Sequence, residues 1–193
     1  MTKKNIEIEI QVQVEKIKPL VKFLNTNAKK TLKTRQIDEY FVLKHRDFLA
    51  KKPVSEWLRL RNANGNYSIN YKNWYHGEDG KSHHCDEYES KIEDIEQLHL
   101  IFKSLDFKPI VKVDKTRISY SYKKYEVSID RVEGLGDFVE IEYKGKSDGQ
   151  NAKEIADEMG QFLKGFKVGK IYKNYVGYPF QLLFPKGFKL EEI

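Results

Sequence analysis

The sequence predicts an α+β protein whose antiparallel strands close into a β-tunnel, with helices packed on the outside. Many segments alternate polar and apolar residues, which indicates strands with two different faces. The charged residues of most of these strands share one face and come in pairs of one sign. Amphipathic helices elsewhere in the chain need the apolar faces to pack on, so the charged faces must point to a shared interior. Closing the sheet creates that interior and removes exposed strand edges.

The first part of the chain supplies a strand, a helix and a second strand. Ile6 to Val14 alternates strictly over nine residues. Ile17 to Leu24 has helical spacing of its apolar residues, and Asp38 to Lys44 is predicted as a strand. The polar residues 46–56 that follow are predicted as a loop.

A hairpin is the next predicted unit. Strands at Glu56 to Arg61 and Tyr67 to Lys72 flank an Asn-Gly pair, which readily adopts the positive φ angles of a tight turn. Two glycines predict a loop over 76–84, and Asp86 to Glu89 is predicted as a short strand.

A second helix is predicted to begin at Ser90, which with Glu93 has the spacing of a capping box. Its apolar stripe is Ile95, Leu98, Phe102 and Leu105. The remaining predicted elements are strands at Lys112–Tyr122, Lys124–Val132 and Asp137–Lys144, a helix at Ala152–Lys164 capped by Asn151 with Gly165 near its end, and a short strand at Ile171–Val176. No repeat or linker divides the chain, so residues 1–193 are predicted to form a single domain.

Composition narrows the class of protein. One cysteine in 193 residues excludes a disulfide framework within the chain. No apolar run is long enough to cross a membrane, so a soluble, cytoplasmic protein with no membrane partner is expected. The net charge of +6 favours anionic partners. The basic residues are interleaved with acids on strand faces, which argues against a nucleic-acid partner.

The predicted interior has a basic and an acidic set of side chains. The basic set is Arg59, Arg61, Lys72, Lys115 and Arg117, and the acidic set is Glu7, Glu9, Glu87, Glu89, Asp130, Glu140 and Glu142. Strand by strand, a sheet with one solvated face explains the same pattern. Taken together, crowded carboxylates call for a hard cation such as Mg²⁺ or Mn²⁺, and arginines bind phosphate oxygens in pairs. The combination predicts a site for a polyphosphate bridged by metal.

The ordered motifs resemble the CYTH superfamily of triphosphate tunnel metalloenzymes over nearly the whole chain. Glu7-Ile8-Glu9-Ile10-Gln11 stands where that family has E-x-E-x-K. Further matches are Leu58-Arg59-Leu60-Arg61, Ser68-Ile69-Asn70-Tyr71-Lys72, Lys115-Thr116-Arg117, Ile129-Asp130, the stretch from Gly134 to Glu142, and Lys173-Asn174-Tyr175. Gln36-x-Asp38-x-Tyr40-Phe41 and Asp86-Glu87-Tyr88-Glu89 look most like the class IV adenylyl cyclase branch.

The resemblance implies that the tunnel is a closed, eight-stranded antiparallel barrel. It also implies conversion of ATP to cyclic AMP and pyrophosphate with Mg²⁺ or Mn²⁺. It implies metal ligands among Glu7, Glu9, Asp130, Glu140 and Glu142. It implies phosphate binding by Arg59, Arg61, Lys72, Lys115, Arg117 and Lys173, with Lys72, Lys115 and Arg117 catalytic. Gln11, Glu87 and Glu89 would support these groups, and a homodimer is suggested by the resemblance alone.

Gln11 departs from the family pattern because a lysine is expected there. The departure keeps two alternatives open, a hydrolase of thiamine triphosphate or inorganic tripolyphosphate, and a non-catalytic triphosphate binder. Lys44 or Lys144 could replace the lost charge. Trp74 is either a packing residue or part of a base pocket at the mouth of the tunnel.

Overall fold

The structure, a computed structural model, describes residues 6–78, 80–145 and 151–193, without the side chains of Ile6 and His83. Within these residues the elements, in chain order, are β1 (Ile6–Val14), α1 (Lys18–Asn27), β2 (Lys29–Leu43), β3 (Glu56–Ala63), β4 (Asn66–His76), β5 (Ser82–Ile92), α2 (Ile95–Ser104), β6 (Phe107–Tyr122), β7 (Tyr125–Val132), β8 (Gly136–Tyr143), α3 (Ala152–Lys164), β9 (Ile171–Lys173), α4 (Gly177–Leu183) and β10 (Glu191–Glu192). None of the helices in this described part is long and apolar enough to cross a membrane.

Eight of the strands form a closed antiparallel ring, which confirms the predicted tunnel. Their order is β1-β5-β4-β3-β2-β6-β7-β8, and pairing of β8 with β1 closes the ring. Strand β1 makes this closure by changing partners along its length: Ile6–Ile8 pairs with β5 and Glu9–Val12 pairs with β8. The short strands β9 and β10 extend the sheet beyond the end of β1.

The alternation of β1 explains which face is inside. Ile8, Ile10 and Val12 are almost fully buried on the outer face, where they pack with Met159 and Leu163 of α3. Burying aliphatic side chains of this size contributes about 1.5–3 kcal/mol each to the free energy of folding. This packing therefore determines which face of β1 points outward. The intervening glutamates of β1 must then point into the tunnel.

Helix α2 covers another part of the outer face, where Phe102 packs with Leu58 and Leu60 of β3. Its predicted N-cap was wrong. Ser90 lies inside β5, which continues to Ile92 because these residues pair with β4. Asp94 caps the helix instead, and its side chain accepts a hydrogen bond from the backbone N–H of Gln97 at 3.0 Å.

Helix α3 has the predicted bounds, with Asn151 as its N-cap and Gly165 as its C-cap. Helix α4 was not predicted. It packs on apolar side chains of the inner face, where Tyr178 meets the Phe138 ring at a centroid distance of 4.8 Å beside Val113. One end of the interior is therefore apolar, whereas the middle is charged.

Candidate functional site

The interior holds a cavity of about 330 Å³, which is within the range of small-molecule sites. The predicted site residues that line it are Glu7, Glu9, Gln11, Arg59, Arg61, Lys72, Glu87, Glu89, Lys115, Arg117, Glu140, Glu142 and Lys173. Seven different strands contribute these side chains, and the barrel brings them together as the period-two pattern predicted. Asp130 is the one predicted site residue that does not line the cavity.

The basic wall consists of Arg59 and Arg61 on β3 with Lys115 and Arg117 on β6. Asp38 on the intervening strand β2 holds the first pair. Its carboxylate accepts from Arg61 Nε at 2.6 Å and Arg61 Nη2 at 2.7 Å, and Arg59 Nη1 lies 3.6 Å away. Burial alone would raise the pKa of Asp38, but Arg59 and Arg61 hold it well below its usual range. Asp38 therefore stays ionised and orients both guanidinium groups.

Asp130 on β7 does the same for the second pair. It is fully buried and accepts from Lys115 Nζ at 3.1 Å and from Arg117 Nε and Nη2 at 2.7 and 2.6 Å. The Tyr178 hydroxyl of α4 donates to it at 2.9 Å. Burial opposes ionisation of Asp130, but Lys115 and Arg117 lower its pKa. Its observed contacts are thus with the basic wall, and its predicted role as a metal ligand stays a prediction.

The acidic wall consists of Glu7 and Glu9 on β1 with Glu140 and Glu142 on β8. Glu9 lies opposite Glu142 in the register of the two strands. Burial and the neighbouring carboxylates raise the pKa of Glu9, although Lys72 opposes this. Burial and the charge of Glu7 raise the pKa of Glu142 to about 7. Glu140 differs, because Arg117, 2.8 Å away, lowers its pKa against the effect of burial.

This donor set fits a hard divalent cation. Carboxylate oxygens are the ligands that Mg²⁺ and Mn²⁺ prefer, and two paired strands supply them from one patch. Burial and neighbouring carboxylates raise the pKa values of Glu9 and Glu142, and a cation placed beside them would favour their ionised forms. In this conformation no three acidic, His or Cys side chains of the described residues converge as a metal site, because the acidic wall is turned toward basic partners.

Lys72 of β4 lies between the two walls. Its ammonium group is 2.5 Å from Glu7, 3.3 Å from Glu9 and 3.8 Å from Glu87. Burial would lower the pKa of Lys72, but Glu7 and Glu9 raise it well above the usual value, so it is a cation. Asn70, one position along on the same face, donates to Glu87 at 2.5 Å and holds that carboxylate near the lysine.

Gln11 is part of a hydrogen-bonded bridge. Its Nε2 donates to Glu140 at 3.2 Å, and its Oε1 accepts from Asn174 Nδ2. Asn174 Oδ1 in turn accepts from the backbone N–H groups of Val176 and Gly177 at 3.2 Å each, where α4 begins. The amide thus connects the acidic wall to α4.

Lys144 and Lys44 are the two lysines that could replace the positive charge of the lysine expected at position 11. Of these two, Lys144 is close to the site. It lines the cavity and its ammonium group bonds to Glu142. Lys44 is exposed just after β2. Lys173 of β9 is buried and lines the cavity, and its ammonium group lies 4.8 Å from the centre of the Tyr175 ring.

Sequence reasoning assigned no role to several residues that shape the site: Asp38, Asn70, Asn174 and Tyr178. Asp38 shares the inner face of β2 with Tyr40, but only the strand register places it opposite Arg61. Asn174 and Tyr178 reach the site from the segment around α4. No periodic pattern in the sequence points to that segment.

Comparison with known proteins gives the family. A model of the CYTH domain matches residues 5–173. A protein of Methanocaldococcus jannaschii, named "Putative adenylate cyclase", is 37% identical over 175 residues, which are 89% of this chain and 97% of that protein.

Solved structures agree with this match. A protein of Pyrococcus horikoshii superimposes with a TM-score of 0.74 at 26% identity, over 93% of this chain and 99% of its own. A structure from Vibrio parahaemolyticus, described as a "putative adenylate cyclase", has a TM-score of 0.68 over 86% of this chain and 91% of its own. At 12% identity it supports the fold alone. With the family model covering most of its length, the chain belongs to the CYTH family.

Proposed function

We propose that this chain binds a nucleoside triphosphate together with Mg²⁺ or Mn²⁺ inside its tunnel and converts ATP to cyclic AMP and pyrophosphate. The observation that carries the proposal is the pairing of a basic wall and an acidic wall around one cavity of about 330 Å³. A triphosphate needs cations on its oxygens, and a metal that neutralises part of its charge needs carboxylates. A neutral substrate would use the charges of neither wall.

The basic wall is the proposed phosphate-binding surface. Arg59, Arg61 and Arg117 would each donate hydrogen bonds to phosphate oxygens, since a planar guanidinium group matches two such oxygens at once. Lys115 and Lys173 would add point charges. Asp38 and Asp130 keep the arginines and Lys115 in place before any ligand arrives. This favours binding because these side chains lose little conformational freedom when the ligand binds.

Glu7, Glu9, Glu140 and Glu142 are the residues proposed to hold the metal. When bound, Mg²⁺ or Mn²⁺ neutralises charge on the phosphate oxygens and stabilises the charge that develops on the leaving group. Lys72 bonds to Glu7 and Glu9. If a cation were held by these carboxylates, the Lys72 ammonium group would be free to donate to a phosphate oxygen.

In the proposed reaction the ribose 3′ hydroxyl loses its proton to solvent and its oxygen attacks the α-phosphorus. The bond from that phosphorus to the oxygen bridging to the β-phosphate breaks. Pyrophosphate leaves, and the 3′,5′ ring closes. The chain contributes mainly position and charge, because holding the 3′ oxygen in line with the leaving group is worth several kcal/mol of the barrier. The lysines and arginines on the phosphates resist rotation of the triphosphate during attack.

The second candidate is a triphosphate hydrolase or a non-catalytic triphosphate binder, and Gln11 favours it. The Gln11 amide is neutral and bonds to Glu140 and Asn174, so the position adds no positive charge for the substrate. The same two walls would serve this candidate, and the difference is whether the ribose hydroxyl, water or no group attacks.

Product analysis separates the candidates. The purified protein is incubated separately with ATP, thiamine triphosphate and tripolyphosphate, each with Mg²⁺ or Mn²⁺, and products are resolved by chromatography. Cyclic AMP with pyrophosphate is the expected outcome. Free phosphate without cyclic AMP assigns the protein to the hydrolases, and tight binding without product assigns it to the binders.

A further inference from the structure

The inner face of β4 changes character along the strand. Asn70 and Lys72 hydrogen-bond to carboxylates, whereas the next inward positions are Trp74 and His76. Alternate residues of a strand are ~6.5 Å apart, so the aromatic pair begins one step beyond the lysine. The Lys72 ammonium lies 5.5 Å from the centre of the Trp74 ring.

The surroundings of Trp74 are apolar. Val54, Trp57 and Pro179 line the same cavity, and Trp74 packs beside the apolar cluster that includes Trp57 and Tyr178. Trp57 is 8% exposed and meets Tyr40 edge to face at 5.7 Å, so packing already uses its ring. Trp74 is only half-buried and lines the cavity. The cavity therefore has a charged part and an aromatic part that share a border at Lys72.

An inorganic polyphosphate gains nothing from an aromatic surface. A triphosphate with a planar heterocyclic head does, because the heterocycle can stack on the ring while its phosphates bind the charged part. We propose that Trp74 is the stacking surface for the heterocyclic head group of an organic triphosphate, and that this site selects a nucleoside triphosphate over inorganic tripolyphosphate. The inference rests on the proposed binding of a triphosphate between the two walls.

The test compares two ligands that differ in the head group. Dissociation constants of ATP and tripolyphosphate, each with Mg²⁺, are measured by calorimetry for the unaltered protein, Trp74→Leu and Trp74→Phe. Leucine keeps an apolar side chain but removes the ring. A stack on one aromatic side chain is worth roughly a factor of 5 to 150 in affinity. We expect Trp74→Leu to weaken ATP binding by about tenfold and tripolyphosphate binding by less than about twofold, with Trp74→Phe between the two for ATP.

Tyr75→Ala is the matched control. Tyr75 is the next residue of the same strand, but it is 46% exposed on the outer face, where it stacks on His84 and bonds to Asp86 at 2.5 Å. Its removal should change neither dissociation constant. Thiamine triphosphate serves as a further ligand, and binding more weakly than ATP would support a nucleobase as the head group.

Three results would overturn the inference. The first is an equal loss of ATP and tripolyphosphate binding in Trp74→Leu, which would mean that Trp74 only supports Lys72. The second is no loss of either. The third is an unaltered protein that binds tripolyphosphate as tightly as ATP. If the unaltered protein binds no triphosphate, the proposed function fails together with this inference. If it binds ATP but makes no cyclic AMP, the dissociation constants of ATP and tripolyphosphate still test the stack on Trp74.

A fluorescence measurement covers the case in which Trp74→Leu does not fold. The sequence has two tryptophans, so Trp57→Phe leaves Trp74 as the only one. ATP should quench its emission more strongly than tripolyphosphate does at saturation. Equal quenching by both ligands would count against the stack.

Discussion

The two walls of the tunnel are neutralised in different ways. Each pair in the basic wall has its own buried carboxylate: Asp38 serves Arg59 and Arg61, and Asp130 serves Lys115 and Arg117. Among the described residues the acidic wall has no such dedicated partner, and its glutamates share the cations of Lys72 on β4, Arg117 on β6 and Lys144 just after β8.

The difference is visible in the acid pKa values. The pKa of Asp38 is held low by its arginines despite burial, whereas burial and neighbouring carboxylates raise the pKa of Glu9. The basic wall is thus complete without a ligand, and its groups are oriented in advance. The acidic wall carries surplus negative charge that a bound cation would neutralise. Phosphate binding should depend on residues already in place, and metal binding should reorganise the acidic wall.

The largest expected effect comes from removing half of the basic wall. Arg59→Ala combined with Arg61→Ala should weaken tripolyphosphate binding by at least about 100-fold, since each charge-assisted hydrogen bond is worth ~1.5–3 kcal/mol. Calorimetric titration measures this. Arg35→Ala is the control, because Arg35 also lies on the barrel but pairs with Asp114 at an exposed position. Unchanged affinity in the double variant would contradict the tunnel as the triphosphate site.

Asp130→Ala should have the next largest effect, and it acts on stability. Removing this carboxylate leaves the buried Lys115 without its carboxylate partner and leaves Arg117 with Glu140 alone, which costs about 3–5 kcal/mol. For a chain of this size the melting temperature should fall by about 10 °C. Tripolyphosphate should restore much of the loss by replacing the missing negative charge, and thermal unfolding with and without it measures both effects.

Asp114→Ala is the control for Asp130→Ala. The Asp114–Arg35 pair is more exposed, and such pairs contribute ~1 kcal/mol or less. If Asp130→Ala unfolds no more easily than this control, Asp130 does not stabilise the basic wall. A shift in the metal requirement without a loss of stability would instead support the role of Asp130 as a metal ligand.

Glu9→Gln tests the acidic wall and should have a smaller effect on the fold. The substitution keeps the shape of the side chain but removes a charge next to Glu142, so the Mn²⁺ concentration for half-maximal binding of ATP should rise by roughly tenfold. Tripolyphosphate binding without metal should change little. Glu39→Gln, on the outer face beside His99, is the control and should leave the metal requirement unaltered. Equal metal dependence in both variants would exclude Glu9 as a ligand.

The inner faces of the strands could be predicted from the sequence because alternate side chains of a strand point to opposite faces. Once the apolar residues are assigned to the outer face, the residues between them must point inward. Strand β1 is the clearest case, and its glutamates lie where the alternation places them. Strand ends were less predictable. Strand β2 begins at Lys29, well before the predicted Asp38. Residues 29–35 are polar except for Leu32, which is exposed, so pairing with β6 holds this part of the strand rather than an apolar stripe.

The rest of the site depends on long-range contacts that carry no local signal. In the sequence pattern, Asp130 shares a strand face with Glu126 and Ser128. This pattern fits a metal ligand and an ion-pair partner of Lys115 equally well. Only the closed barrel places it against Lys115, Arg117 and Tyr178. The Ser90 capping box failed for a related reason, since pairing with β4 extends β5 through it.

The smallest predicted effect concerns the bridge between Gln11 and Asn174, which links the start of α4 to Glu140. Asn174→Ala should lower the free energy of unfolding by about 1 kcal/mol, the usual value for one such bond. If the bridge also positions Glu140, Asn174→Ala and Gln11→Ala should each raise the metal requirement, and the double variant should raise it no further than either alone. Such non-additivity would show that Gln11 and Asn174 position Glu140 together, because the effects of two independent packing losses would add. Additive effects on the metal requirement would mean that α4 and the acidic wall act separately.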